Sequence, residues 1–244
     1  MKNVALIFAL VVCFSFVSCK KNQTGELDFV IQTQLSGVDC SLLDPFTNSS
    51  GQQLKIELLK FYVSNVILID KKGNEKTVED IALFEIDAAG TSNLTMTAPV
   101  GDYVSLKFSI GVPATMNEAD PSSYSETGHP LNTTEGMYWD MNAMYRFVSM
   151  DGRYDLEPDG TDDGIFSYHT GFNESFRTVQ FDFAKSVEKD EITTATIYID
   201  LKKILATAGN ELDVVNEPFY HGNTTDYFLS TMISDNFSEA ISVQ

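Results

Sequence analysis

The chain is 244 residues long and carries 35 acidic against 16 basic side chains, a formal charge of −19 at pH 7. That charge repels phosphate backbones and argues against nucleic-acid binding, while 43% hydrophobic and 11% aromatic residues exclude a disordered acidic tail. The length admits one large or two small domains.

Residues 1–18 read as an address. Met1-Lys2-Asn3 is a short basic start, and Val4 to Val17 is a nearly unbroken apolar run. A transmembrane helix needs about 20 apolar residues, so the run has the length of a signal-peptide h-region instead. It closes on Phe16-Val17-Ser18-Cys19, which resembles the lipobox of bacterial lipoproteins, although Phe16 is atypical at its first position. On that reading Cys19 is the lipidated first residue of the mature chain, and residues 19–25 link the anchor to one domain over residues 26–244. The protein is then an exported lipoprotein of the outer membrane, on its periplasmic or cell-surface face. Lys20-Lys21 lacks the acidic stretch associated with surface export, which favours the periplasmic face. The alternative is ordinary secretory cleavage nearby. Removing residues 1–18 takes away Lys2 and Cys13, moves the charge from −19 to −20 and leaves only Cys19 and Cys40. An acylated Cys19 would leave Cys40 without a disulfide partner.

From Gly25 onward apolar residues alternate more than they follow a helical period. Leu27, Phe29 and Ile31 alternate with Asp28, Val30 and Gln32, and Tyr103 to Ile110 reads as a half-buried strand. Leu54 to Ile69 predicts two strands or one long bent strand, followed by the turn Asp70-Lys71-Lys72-Gly73-Asn74. Phe176 to Phe183 and Thr194 to Leu201 repeat the strand pattern. The fold class is therefore all-β, an antiparallel β-sandwich or barrel. Lys202 to Ala208 predicts a short helical turn ended by Gly209-Asn210. Thr225 to Ile241 predicts a short C-terminal helix with a possible cap at Thr224-Thr225-Asp226. No linker or internal repeat divides the mature chain.

Chemistry concentrates in Gly128 to Phe147, which holds His129, the single tryptophan Trp139, and Met137, Met141 and Met144. Imidazole suits copper and thioether favours Cu(I). His169 lies in Phe166-Ser167-Tyr168-His169-Thr170-Gly171 and His221 in Phe219-Tyr220-His221-Gly222-Asn223. The bland alternative packs the methionines and Trp139 into an irregular core, since no tight metal spacing is present. A second feature is the acidic loop Asp155 to Gly164, in which Asp155, Asp159, Asp162 and Asp163 could hold Ca²⁺ without matching EF-hand spacing. No catalytic triad, nucleophile elbow, phosphate loop or dinucleotide fingerprint occurs, so the reading is of a protein that is not an enzyme. Cys40 reads as a small buried hydrophobe.

Several short elements in order carry a resemblance. They are Leu59-Lys60-Phe61-Tyr62-Val63-Ser64-Asn65-Val66, Phe108-Ser109-Ile110-Gly111-Val112, His129-Pro130-Leu131, Met137-Tyr138-Trp139, Tyr145-Arg146-Phe147 and Tyr168-His169-Thr170-Gly171. Together they resemble the MbnP family, the methanobactin-associated copper-binding proteins, and especially its bacterial lipoprotein members. Asn236 in Ile233-Ser234-Asp235-Asn236-Phe237 is similar to the family's closing helix. The resemblance implies an exported β-rich domain that binds copper, and a dihaem cytochrome c peroxidase-like partner that oxidises a tryptophan to kynurenine. Carried to this chain, Trp139 is the oxidation target and His129 and His169 the leading ligands. Met137 or Met141 could add a soft ligand, and His221 or Met232 could approach from the tail. Many relatives carry a second tryptophan two positions after the first and a glycine before the Tyr-Arg/Lys-Phe element, where this chain has Met141 and Met144. If the second tryptophan is the one oxidised, this chain cannot form kynurenine there.

Each imidazole ligand needs its other nitrogen held by a carbonyl or carboxylate, and Asp140 is a candidate. Histidine ligation also implies copper loss as pH falls through the imidazole range near about 6.5. Two other readings stand beside copper binding. One is a surface glycan-binding or adhesive sandwich with Trp139, Tyr138 and Tyr145 as an exposed stacking platform. The other is a purely structural subunit.

Overall fold

The computed structural model describes residues 23–139, 144–222 and 227–244. The expectations placed on Cys19, Asp140, Met141 and the Thr224–Asp226 cap lie outside them. Strands make up 52% and helices 15%, so the all-β class and the short C-terminal helix stand. The sheets do not close into a barrel.

Alternation in the sequence becomes burial in the first strand. In β1 (Thr24–Leu35) the side chains of Leu27, Phe29 and Ile31 are fully buried while their neighbours face outward. β2 (Gln53–Asp70) is one long strand. It pairs antiparallel with β3 (Glu75–Glu85) along one edge. After β3 come β4 (Thr91–Pro99) and β5 (Gly101–Ile110). β6 (Val148–Asp155) and β7 (Gly164–Thr170) form an antiparallel pair, with β6 also on β2. β6 takes the first half of β2, from Gln53 to Phe61, and β5 takes the second half, from Val63 to Asp70. Asn65, with φ of 51°, lies beside the register shift at Val66 and Ile67 that bends the strand where one partner gives way to the other.

β8 (Arg177–Val187) borders β5 and completes this larger sheet on one side; the two-residue strand Phe219–Tyr220 completes it on the other. The smaller sheet contains β9 (Ile192–Asp200), which pairs parallel with β1, and β4, which pairs antiparallel on the other edge of β1. The closing strand β10 (Ile241–Val243) runs antiparallel to β9. Both sheets are thus mixed rather than purely antiparallel, because β1–β9 and β7 with Phe219–Tyr220 pair in parallel.

The core lies between the sheets. Phe29 of β1 meets Phe84 of β3 at 5.6 Å and Phe108 of β5 edge-on at 5.3 Å between ring centroids. The one-turn helix α1 (Leu201–Leu205) is capped by the Asp200 carboxylate, which accepts from the Lys202 amide. The terminal helix α2 (Phe228–Ala240) buries Ile233, Asn236, Phe237 and Ala240. Phe237 packs against Phe61 at 5.0 Å. Asn236 accepts from Thr207 Oγ1 and donates to the Asn210 and Ile204 carbonyls, tying the helix to the loop after α1. Among the described residues no helix is long and apolar enough to cross a membrane.

A smaller core of Tyr62, Ile81, Val112, Leu131, Met137, Tyr145 and Phe147 sits beside the main one. It pins the long excursion between β5 and β6. Tyr145 donates to the Leu131 carbonyl at 2.7 Å and Tyr62 to the Pro130 carbonyl at 3.0 Å. Burial and the neighbouring tyrosines push the Tyr145 phenol up to about 12.

Candidate metal centre

The outward-facing side chains of β6 and β7 create the site. Strand alternation puts Ser149, Asp151 and Arg153 on one face of β6, opposite His169, Ser167 and Ile165 of β7 in register. The parallel strand Phe219–Tyr220 pairs with Ser167 and Tyr168, and this delivers His221 to the same face. The rings of His169 and His221 stack at 4.6 Å with an interplanar angle of 18°. Trp139 closes over them, 6.3 Å from His169 and 5.7 Å from His221. The Arg146 guanidinium lies 4.8 Å from the centre of the indole, a cation–π contact. Three segments far apart in sequence therefore meet here: Trp139, the β6–β7 hairpin and His221.

Hydrogen bonding sets the imidazole tautomers. Ser167 Oγ donates to Asp151 Oδ1 at 2.5 Å, so the serine proton is committed. His169 Nε2 is 3.3 Å from the same carboxylate oxygen, and His221 Nε2 is 2.9 Å from Ser167 Oγ. A carboxylate only accepts, and a hydroxyl whose proton is committed can only accept as well. Both histidines therefore carry their proton on Nε2 and their lone pair on Nδ1. His169 Nδ1 is buried and has no hydrogen-bond partner.

The electrostatics agree. Burial works to raise the Asp151 carboxyl, but the hydrogen bonds from His169 and Ser167 outweigh it and hold the group below the usual carboxylate range. Burial, aided by His169, lowers His221 and favours the neutral ring a metal requires. Burial also lowers Arg146, opposed by Asp151.

The other expected residues fall in different places. His129 stacks on Tyr124 at 4.9 Å, and its Nδ1 accepts the Leu131 amide at 3.0 Å. Met137 is buried in the smaller core against tyrosine and leucine, and Met232 packs against the main core. Of the stacking platform imagined for a glycan, Tyr145 is fully buried and so unavailable, while Trp139 and Tyr138 are half-buried.

The calcium expectation for the acidic loop finds no support, although Asp155 Oδ1 is buried without a hydrogen-bond partner. Asp155 accepts from the Gly160 amide, Asp159 from Thr161 and Asp163 from Leu156, each at 2.8 Å. Asp162 is paired with Lys55 at 2.8 Å and lies 3.8 Å from Arg153. These carboxylates close the loop on itself and neutralise two cations, and no group of three or more His, Cys, Asp or Glu able to hold a metal occurs among the described residues. The His169–His221 pair brings two imidazoles together, of which His169 Nδ1 is buried without a hydrogen-bond partner.

Asp151 and Ser167 are not among the residues expected from the sequence, where Asp140 was the carboxylate singled out. The available signal was alternation: Ser167 and His169 are two apart on one strand and so share a face.

Comparison with known proteins decides the lineage. The MbnP family matches residues 21–225, most of the chain. The chain belongs to the MbnP family. Among solved structures it is similar to MbnP from Methylosinus trichosporium, with a TM-score of 0.57 and 18% identity, covering 91% of this chain and 98% of that one. At that identity the MbnP structure shows a shared fold. No curated protein matches in sequence.

Proposed function

We propose that this MbnP-family protein is an exported copper-binding lipoprotein, not an enzyme, whose metal is held by His169 and His221 beside Trp139. The observation that carries the reading is the pair of like tautomers converging on the only tryptophan, with His169 Nδ1 buried and unpartnered. Membership of a family associated with copper handling supports it. Bound copper would supply a redox-active, imidazole-ligated ion. Asp151 orients both rings directly or through Ser167, and Trp139 covers them. A dihaem cytochrome c peroxidase-like partner is the proposed oxidant of Trp139 to kynurenine. Half-burial of the indole leaves it accessible to such a partner.

His129 belongs to a different set of contacts, and we assign it to fixing the loop through Tyr124 and Leu131. Competitive Cu(I) titration of the mature domain tests the assignment. His169→Ala and His221→Ala should each abolish tight binding, while His129→Ala keeps it. Asp151→Asn should weaken binding by about 10–100-fold, the usual cost of losing a partner that orients a histidine ligand. Binding that survives both His169→Ala and His221→Ala would refute the site.

A further inference from the structure

Arg146 is held in place from both sides. Its neighbours Tyr145 and Phe147 are fully buried. The Arg146 amide donates to the Met137 carbonyl at 2.8 Å, and the Phe147 amide donates to the Thr170 carbonyl at 2.8 Å. The backbone here is therefore tied both to the segment leading into Trp139 and to the end of β7. From that fixed base the guanidinium lies over the indole, 4.8 Å from the ring centre. Nη1 reaches the Gly136 carbonyl at 3.4 Å, and Nε is buried with no hydrogen-bond partner. Lys55, Lys60, Arg153 and Arg177 each pair with a carboxylate instead. The head group of Arg146 meets a ring face and a carbonyl, and both it and Trp139 are half-buried.

We infer that Arg146 guards Trp139 against one-electron oxidation, so that the indole yields only to a strong oxidant. The inference rests on the proposed oxidation of Trp139 and asks nothing of the copper ligands. A neutral indole attracts a cation through the negative potential of its ring face. Loss of an electron reverses that sign. The electron reduces the oxidant by one, and the indole becomes a radical cation in contact with a guanidinium; its Nε1 proton then passes to solvent. The contact therefore stabilises the reduced ring and destabilises the oxidised one. Half-burial of both groups limits the screening of either effect by water and salt. Arg146 is on this view a positioning residue for the chemistry of Trp139. It reserves a half-buried indole for a dedicated oxidising partner and protects it from weaker oxidants.

The test follows oxidation of the metal-free mature protein by the photoexcited triplet of lumiflavin, a neutral one-electron oxidant. It is run in about 1 M salt, where steering by surface charge is screened beyond about 3 Å. Trp139 is the only tryptophan of the chain, so the indole radical belongs to it alone, and Trp139→Phe supplies the tyrosine background. Arg146→Gln, which keeps hydrogen-bond donors but removes the charge, should raise the rate about ten-fold, the scale of a partly desolvated cation–π contact. Arg146→Met should match it. Arg146→Lys, which keeps the charge, should stay within about three-fold of the parent. Equal rates in the parent and Arg146→Gln would overturn the inference. Equal acceleration in Arg146→Gln and Arg146→Lys would also overturn it, since bulk rather than charge would then be the shield. Acceleration confined to the uncharged variants, in a protein whose Trp139 is unmodified when taken from its native host, would keep the guard and overturn the proposed conversion to kynurenine.

Discussion

Phe237→Ala is expected to destabilise the domain by about 3–5 kcal/mol, the range for removing a buried aromatic side chain. Phe237 is fully buried and meets Phe61, which in turn stacks on Phe84 of β3. Truncation empties the joint between α2 and the larger sheet. Neighbouring Asn236 would still hold the helix to the Ile204 and Asn210 carbonyls, limiting collapse into the cavity. Urea denaturation should show a large fall in midpoint with little change in slope. A loss below about 1 kcal/mol would mean that α2 is peripheral to stability rather than part of the core.

Gly152→Ala is the second large effect, and it joins fold to site. A Cβ there would lie 2.3 Å from the Lys55 carbonyl oxygen and 2.3 Å from Phe166 Cζ. The aromatic edge can yield, but the carbonyl belongs to the paired strand β2, and moving it disturbs the ladder. The register of β6 on β2 shifts between Asp151 and Gly152, so the glycine sits at the irregularity that places Asp151. Overpacking should cost about 2–3 kcal/mol and weaken copper binding through displacement of the Asp151 carboxylate. Retained copper affinity at reduced stability would separate the strand irregularity from the site.

Much of the fold was legible because it is local. Alternation in β1 and β5 needs only the chain's own period of two, and the Asp70 turn needs only its carboxylate and the following amides. What was illegible is non-local. The parallel pairing of β1 with β9 joins Glu26 to Ile192, and nothing in either segment specifies direction. The length of β2 was left open between one strand and two, because the bend at Asn65 resembles a break when only side-chain pattern is read.

The site divides in the same way. Residue types named the candidates, and the family resemblance added weight to Trp139, His129 and His169. Position came from pairing. Two residues of strand at Phe219–Tyr220 bring His221 beside Ser167, and no sequence pattern marks so short a strand. Met137 looked like a soft ligand by its nearness to Trp139, yet it lies just before the two-residue strand Tyr138–Trp139 and is buried in the smaller core. The acidic loop looked like a cation site by composition, and its hydrogen bonds to its own amides are what such a composition also serves.

The most direct test of the central claim is metal analysis with intact mass on the mature protein purified from its native host after growth with copper. The account predicts about one copper per chain, bound through the two imidazoles. It further predicts a mass gain of about 4 Da localised to Trp139, the net exchange of one carbon for one oxygen on conversion to kynurenine. Copper with an unchanged Trp139 would keep the imidazole site and remove the oxidising partner. A copper-free protein would contradict the account and leave the MbnP resemblance as one of fold.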